Sequence, residues 1–256
     1  MMFDRRRFLA ACATAALSPQ PLPGQEQKHA GKKKGWAGGD TEMHKLFGAH
    51  WYYTWWPGGN ESKAASFVPM VKEEKHIHSL HAIENMQGVD HLLGYNEPER
   101  KDLANMPLAR CLELWPRLMA LAEKKQLRLG SPAPSSDGGG MAFLEAFMEQ
   151  VKERKLRVDF IALHWYRSRD PGAFESWVKE IARKYKRPVW VTEFNGWNGP
   201  EKENYDFLRK VLKFMERSKD VERYAYFEPG KGKDHSLLKA DGSLSRMGEA
   251  YRDAGS

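Results

Sequence analysis

Two glutamates stand where short apolar runs end, and they carry the clearest chemical signal in the sequence. Leu92–Tyr95 is followed by Asn96 and Glu97, and Pro188–Thr192 is followed directly by Glu193. Paired carboxylates can hydrolyse glycosidic bonds. At about 5–5.5 Å one attacks the sugar while the other serves as acid and base, whereas at about 6.5–9.5 Å a water between them inverts the configuration. The sequence therefore predicts a glycosidase with Glu97 and Glu193 as its catalytic pair, and the distance between them stays open at this point.

Aromatic residues make up 12% of the chain, and several of them lie at or near the ends of the apolar runs. Rings at strand ends can stack on the apolar faces of sugars, although tryptophan also packs in cores when its N–H finds a partner. Core packing is therefore the alternative for each candidate, while His164 is interpreted as a hydrogen-bond partner in the cleft. The aromatic residues predicted to bind substrate are Trp55, Trp56, Trp165, Trp197 and Tyr226. Glu228, at the end of another apolar run, is a third carboxylate candidate that could equally lie on the rim.

The elements that must position these residues are short strands alternating with amphipathic helices. Strands are predicted at Trp51–Trp55, Phe67–Val71, Leu92–Tyr95, Leu127–Ser131, Phe160–His164, Pro188–Thr192 and Tyr224–Phe227. Helices are predicted at 107–125, 141–154, 173–185 and 201–217. This alternation indicates parallel βαβ units, and the C-terminal strand ends would gather the candidate residues at one face.

The predicted fold is α/β, a single (β/α)8 TIM barrel, for which 256 residues is a suitable length. Only seven of the eight strands of such a barrel are predicted, and we expect the eighth either between Val71 and Asp90 or before His50. A doubly wound open sheet is the alternative, but no Gly-x-Gly-x-x-Gly follows the first strand to favour a dinucleotide fold.

The N-terminal residues predict export. Arg5, Arg6 and Arg7 precede an Ala-rich apolar run, so residues 1–24 are predicted to be a twin-arginine-like bacterial signal peptide, and we expect a periplasmic or secreted protein. The run is too short to span a bilayer, so no stable membrane insertion is expected. Lipid attachment at Cys12 is the less favoured alternative, because only four residues separate it from Arg7. Residues 25–43 are predicted to be a flexible leader and 44–256 the catalytic domain.

Composition argues against several other classes of protein. Of the net charge of +7, residues 1–40 carry +4, and the remainder is spread among acidic residues, so no nucleic-acid partner is expected. The spacing of His76, His78 and His81 does not match a strong zinc motif. No metal or cofactor is expected, since two carboxylates and water suffice for glycoside hydrolysis. We expect a monomer that acts on a polysaccharide or oligosaccharide.

Ordered motifs around both glutamates give the chain a family resemblance. Leu92–Pro98, Gly130–Ala133, Asp159–Tyr166 and Pro188–Phe194 occur in the order found in glycoside hydrolase family 128, the β-1,3-glucanase barrels of clan A. The chain resembles that family from roughly Gly48 to Tyr251. The departures are Glu99 in place of the usual Asp, a mild change, and the loop 195–200, which puts the substrate preference in doubt.

The resemblance implies a role for each matching residue. Glu97, after the fourth strand, would be the acid/base and Glu193, after the seventh, the nucleophile of a retaining reaction. Asn96 would hydrogen-bond the sugar 2-hydroxyl, and Tyr166 would orient or protonate around the nucleophile. The implied activity is that of an endo-β-1,3-glucanase acting on a β-glucan. Three other hypotheses remain: a retaining hydrolase of another β-glycan, a non-catalytic glycan-binding barrel, and a metal-dependent hydrolase using the histidines of 76–81.

Overall fold

A ring of short parallel strands forms the centre of the molecule. The computed structural model describes residues 32–59 and 62–255, in which eight strands are found. They are β1 (Lys34–Ala37), β2 (Trp51–Tyr53), β3 (Ser66–Phe67), β4 (His91–Leu92), β5 (Arg128–Leu129), β6 (Ile161–Trp165), β7 (Val189–Phe194) and β8 (Val221–Tyr226). One sheet runs in the order β3-β2-β1-β8-β7-β6, and β4 pairs with β5 in a second.

Two parallel bridges connect these sheets on both sides. Met70, just beyond β3, pairs with Leu93 after β4, and Gly130 after β5 pairs with Phe160 before β6. Because β1 also pairs with β8, every strand has its two sequence neighbours beside it. The predicted (β/α)8 barrel is confirmed.

Helices follow most of the strands and cover the outside of the ring. Their bounds are α1 (Thr41–Leu46), a 3₁₀ helix (Glu74–Ser79), α2 (Leu80–Asn85), α3 (Leu108–Lys124), α4 (Gly138–Glu153), α5 (Pro171–Tyr185), α6 (Glu201–Arg217) and α7 (Arg246–Arg252). The four predicted helices correspond to α3–α6. In the described part of the chain, β2 and β3 are joined without a helix. Within 32–59 and 62–255, no helix has both the length and the apolarity to cross a membrane.

The strand that the sequence left unplaced is β1, and it lies before His50. The prediction of a flexible leader over 25–43 is therefore wrong from Lys34 onward, because β1 is buried and the helix α1 follows it. The sequence Lys-Gly-Trp-Ala offers few apolar side chains, so the run had no strand signature. The predicted signal peptide, the start of the leader and Cys12 lie outside the described residues.

The core has two layers, one on each side of the ring. The strand faces that point outward pack against the helices in one large apolar cluster. The inner faces form a second cluster that fills the barrel with Ala37, Trp51, Tyr53, Val68, Met70, Leu93, Phe160, Trp190 and Ala225. Side chains alternate along a strand, so Trp51 and Tyr53 point inward while Tyr52 points outward. Trp55 and Phe227 pack on this inner cluster, which therefore forms the floor beneath the C-terminal strand ends.

Candidate active site

Glu97 lies in a sharp turn just past β4. Its backbone N–H donates to the carbonyl oxygen of Ala133 at 2.7 Å, and the preceding Asn96 pairs with Ala133 as an isolated bridge. Glu97 has φ +41, in the left-handed region that side-chain-bearing residues seldom adopt. Such a conformation costs on the order of 1–3 kcal/mol and persists where the surroundings fix it. The carboxylate is buried, with 8% of the residue exposed.

Glu193 lies on β7 and is surrounded by neutral hydrogen-bond donors. The indole Nε1 of Trp55 donates to Oε1 at 2.7 Å, and the hydroxyl of Tyr53 lies 3.1 Å from the same oxygen. The hydroxyl of Tyr166 donates to Oε2 at 2.6 Å. The residue is 5% exposed. Because a buried carboxylate is costly unless it is hydrogen-bonded, these donors stabilise its ionised form.

His164 lies between the two carboxylates and is completely buried. Its Nδ1 is 2.8 Å from Oε1 of Glu97, and its Nε2 is 3.5 Å from Oε1 of Glu193. Burial alone would lower the pKa of the imidazole. The negative charge of Glu193, with the hydrogen bond and charge of Glu97, outweighs burial, and the pKa of His164 is raised above its ordinary value. Both carboxylates therefore act on the imidazole: Nδ1 hydrogen-bonds Glu97, while Nε2 lies within ion-pair distance of Glu193.

The spacing of these three side chains limits the chemistry that they can perform. A carboxylate oxygen of Glu97, a ring nitrogen of His164 and a carboxylate oxygen of Glu193 all lie within 4.8 Å of one another. The two carboxylates are therefore close enough for a double displacement. The same three atoms also have the spacing of a metal-binding group, although hydrolysis by two carboxylates and water needs no metal ion. No other group with metal-binding spacing occurs among residues 32–59 and 62–255. The histidines of 76–81 are thus not such a group, and the backbone N–H of Lys72 donates to Nδ1 of His76.

A cleft of about 570 Å³ opens above the carboxylates. The predicted site residues that line it are Asn96, Glu97, Glu193, Trp55, Tyr166 and Trp197. Trp197 is 57% exposed and packs edge-on against Tyr166 with ring centroids 5.6 Å apart. The side-chain Oδ1 of Asn96 is buried and has no hydrogen-bond partner in the protein. The cleft therefore combines the two buried glutamates, an unsatisfied polar atom and the exposed ring of Trp197.

Three of the predicted substrate-binding residues lie elsewhere. Trp165 is buried on the outer face of β6, where it packs against Phe174 of α5. Tyr226 is buried on the outer face of β8, and its hydroxyl donates to the carbonyl oxygen of His235. Both predictions are wrong because alternation along a strand places these residues opposite their cleft-facing neighbours. Trp56 is also outside the cleft: it is half-exposed and its ring contacts His76 edge-on.

The structure adds residues that sequence reasoning missed. Tyr53 contacts Glu193, and it shares the inward face of β2 with Trp51, which the alternation pattern could have indicated. Phe227, two residues beyond the inward Ala225, lines the cleft by the same alternation. Arg100 and Asp102 also line it and form an ion pair, with Arg100 Nε 3.5 Å from Oε2 of Glu97. No pattern in the sequence pointed to this pair.

Glu228 has no place in the cleft lining. Its carboxylate accepts hydrogen bonds from the backbone N–H groups of Gly230 and Leu237 and from the hydroxyl of Ser236. It therefore organises the loop after β8, and the third carboxylate candidate is a structural residue.

Comparison with known proteins places this geometry among glycoside hydrolases. A family model for the glycosyl hydrolase catalytic core matches residues 36–251. Among solved structures, the chain is similar to a subgroup I endo-β-1,3-glucanase of glycoside hydrolase family 128 from Amycolatopsis mediterranei, in complex with laminaritriose. The two share 30% identity at a TM-score of 0.75, over 87% of this chain and 99% of that one.

Two further solved structures from other subgroups of family 128 are also similar. A curdlan-specific exo-β-1,3-glucanase from Blastomyces gilchristii, in complex with glucose, shares 29% identity at a TM-score of 0.75, over 88% of this chain and 99% of that one. An endo-β-1,3-glucanase from Sorangium cellulosum shares 27% identity at a TM-score of 0.71, over 87% and 98%. No curated protein sequence matches the chain.

Proposed function

This chain belongs to the glycosyl hydrolase catalytic core family and to glycoside hydrolase family 128, and on that premise we propose that it is a retaining endo-β-1,3-glucanase. The spacing of the two buried carboxylates, within 4.8 Å of each other and of His164, carries the proposal. That spacing is closer to the separation of a retaining pair than to that of an inverting pair, so it favours a covalent intermediate. The substrate follows from the relatives, which act on β-1,3-glucan and bind laminari-oligosaccharides.

In the first half of the reaction, Glu193 is the nucleophile. A carboxylate oxygen of Glu193 bonds to the anomeric carbon while the glycosidic C–O bond breaks. The leaving oxygen keeps the electron pair of that bond and takes a proton from Glu97, which hydrogen-bonds His164 at 2.8 Å. Asn96, whose Oδ1 has no other partner, is placed to accept a hydrogen bond from the sugar.

In the second half, Glu97 becomes the base. A water attacks the anomeric carbon and gives its proton to Glu97, while the ester bond breaks and its electron pair returns to Glu193. Before the reaction begins, the charge of Glu193 and the hydrogen bond and charge of Glu97 raise the pKa of His164. We assign Trp197 to sugar stacking, because its ring is exposed in the cleft.

The test is product release from a linear β-1,3-glucan by wild type, Glu193→Gln and Glu97→Gln. Wild type should release a series of short oligosaccharides, and each variant should lose about 10⁴-fold or more of the rate, as removal of a catalytic group does elsewhere. Glu228→Gln is the matched control, because it changes a half-buried glutamate at another strand end outside the cleft lining. It should keep a rate within about tenfold.

Each alternative outcome has a definite meaning. Glucose as the sole early product would replace endo action by exo action. Cleavage of only a β-1,4 or β-1,6 glycan would keep the mechanism and discard the substrate. Binding without any cleavage would favour a non-catalytic glycan-binding barrel.

We also propose that the protein is exported and acts as a monomer without a nucleic-acid partner. The support is the charged and apolar pattern of residues 4–17 and the absence of a basic stripe in the sequence. Sequencing the N-terminus of protein from the native host tests export, and the mass of the protein in solution tests the monomeric state. An intact Met1 on protein found only inside the cell would contradict export, and a dimer mass would contradict the monomer.

A further inference from the structure

Trp55 is held in an unusual conformation beside Glu193. Its backbone has φ +55, in the left-handed region, which is uncommon for a bulky side chain. Its ring packs edge-on against Tyr53 at 5.1 Å and Phe227 at 5.9 Å. Its indole Nε1 lies 2.7 Å from Oε1 of Glu193. Strained residues gather where the surroundings fix a functional geometry, so this conformation calls for a role beyond packing.

We propose that Trp55 is a positioning residue, which together with Tyr53 fixes Oε1 of Glu193 as the oxygen that does not attack. The inference rests on the proposed function, since it assigns the two oxygens of the nucleophile. Oε1 accepts from Trp55 and lies near the hydroxyl of Tyr53, which also lies 3.0 Å from the carbonyl oxygen of Thr192. Trp55 is therefore the principal donor. Oε2 has one donor, the hydroxyl of Tyr166.

The covalent step explains why this asymmetry matters. When Oε2 bonds to the anomeric carbon, the glycosidic bond breaks, its electron pair leaves with the departing oxygen, and that oxygen takes the proton of Glu97. Oε1 then becomes the carbonyl oxygen of the ester, which still accepts hydrogen bonds, so Trp55 and Tyr53 keep their contacts. An ester oxygen bonded to carbon accepts weakly, so Tyr166 must release Oε2. When water later breaks the ester, the electron pair returns to Glu193 and Tyr166 can bind again.

The groups around Glu193 differ in whether they titrate. Indole N–H is a donor at every accessible pH. Burial, and then the charge of Glu193, raises the pKa of Tyr53 well above its ordinary value, so this hydroxyl also stays protonated. The other titratable neighbours are His164, whose Nε2 is 3.5 Å away, Tyr166, and Glu97 across the cleft. Trp55 thus stabilises the ionised nucleophile without contributing a charge of its own.

The test compares Trp55→Phe with Trp56→Phe as a matched control, using kcat/KM for a linear β-1,3-glucan across pH. Phe keeps an aromatic ring but removes the N–H together with part of the indole, and Trp56→Phe makes the same loss of volume outside the cleft lining. A hydrogen bond to a charged group predicts a loss of about 10- to 100-fold in kcat/KM for Trp55→Phe. The acid limb of its profile should also move to higher pH, because ionised Glu193 has lost its main donor. Trp56→Phe should keep the wild-type kcat/KM and pH profile. Tyr53→Phe should lower kcat/KM and move the acid limb in the same direction as Trp55→Phe, but by less.

The outcomes separate this inference from the function on which it rests. If Glu193→Gln stays active, the proposed function fails. If Glu193→Gln is inactive while Trp55→Phe raises only KM with an unmoved acid limb, Trp55 is a sugar-stacking residue and the inference is overturned. Should Trp55→Phe fail to fold, Tyr53→Phe decides alone, and an unmoved acid limb in that variant contradicts the inference.

Discussion

At the scale of single residues, the site depends on a buried histidine between two acids. His164 has no exposed surface, and its Nδ1 and Nε2 lie 2.8 Å and 3.5 Å from carboxylate oxygens of Glu97 and Glu193. Without it, Glu97 and Glu193 would face each other across a short gap with no positive charge between them. A protonated imidazole relieves that repulsion and orients both side chains.

This arrangement predicts how stability depends on pH. Because the folded-state pKa of His164 is raised above the ordinary 6.5, its protonation stabilises the folded state. That contribution is fully present below about pH 6.5 and is lost as the pH rises through the folded-state value. The free energy of unfolding of wild type should therefore exceed that of His164→Gln by more at pH 6 than at pH 9, measured by denaturant titration.

The control for this prediction is His78→Gln, at an exposed histidine of the 3₁₀ helix. The difference in the free energy of unfolding between this variant and wild type should change little over the same pH range. Parallel pH curves for wild type and His164→Gln would show that the imidazole is not held charged between the acids.

Also at this scale, the sequence was informative for residues whose roles follow from type and position. Glu97 and Glu193 stand out because each ends an apolar run, and the structure brings them together in one cleft. Trp165 and Tyr226 were misplaced by counting strand ends without applying alternation inside each strand. The ion pair of Arg100 and Asp102 could not be predicted, because an irregular turn with no periodic pattern places it at the cleft.

At the scale of elements, two lysines at the start of β1 bind it to helices α6 and α7. The Nζ of Lys33 donates to the carbonyl oxygens of Met215 and Ser218 at the end of α6. The Nζ of Lys34 donates to three carbonyl oxygens at the end of α7, those of Tyr251, Arg252 and Ala254. The last carbonyls of a helix have no partner within the helix, and cations there also interact favourably with its dipole. A strand that looks like a polar leader is in this way a structural part of the barrel.

This account predicts a large effect from a change that removes only a charged tip. Lys34→Met keeps the length of the side chain but leaves three carbonyl groups without their donor, so the free energy of unfolding should fall by about 2–4 kcal/mol. Guanidinium titration measures it. Lys32→Met, two residues earlier and exposed, is the matched control and should stay within about 0.5 kcal/mol of wild type. Equal effects of both substitutions would contradict this role of Lys34.

The unexpected strand shows why elements are harder to predict than sites. Helices α3–α6 have long apolar stripes, and the sequence placed all four. Lys34–Ala37 is four residues long, and its burial depends on partners more than 180 positions away in the chain. Local periodicity cannot indicate so short a strand when its burial comes from partners outside the run, β2 on one side and β8 on the other.

At the scale of the whole molecule, the barrel sets the distance that decides the chemistry. Glu97 follows β4 and Glu193 lies on β7, so their separation depends on the tilt and stagger of all the strands between them. The sequence predicted a closed barrel because its strands and helices alternate. The sequence could not predict that carboxylate oxygens of Glu97 and Glu193 lie within 4.8 Å of each other, because closure of the strand ring sets that distance.

The most direct test of retention is the anomeric configuration of the first product. Wild type should be mixed with a linear β-1,3-glucan oligosaccharide, and the new reducing ends followed by proton NMR in the first minutes, before mutarotation. Two displacements at the anomeric carbon predict that the β-anomer appears first and the α-anomer only later. An α-anomer formed first would mean a single displacement by water, and it would contradict the assignment of Glu193 as nucleophile.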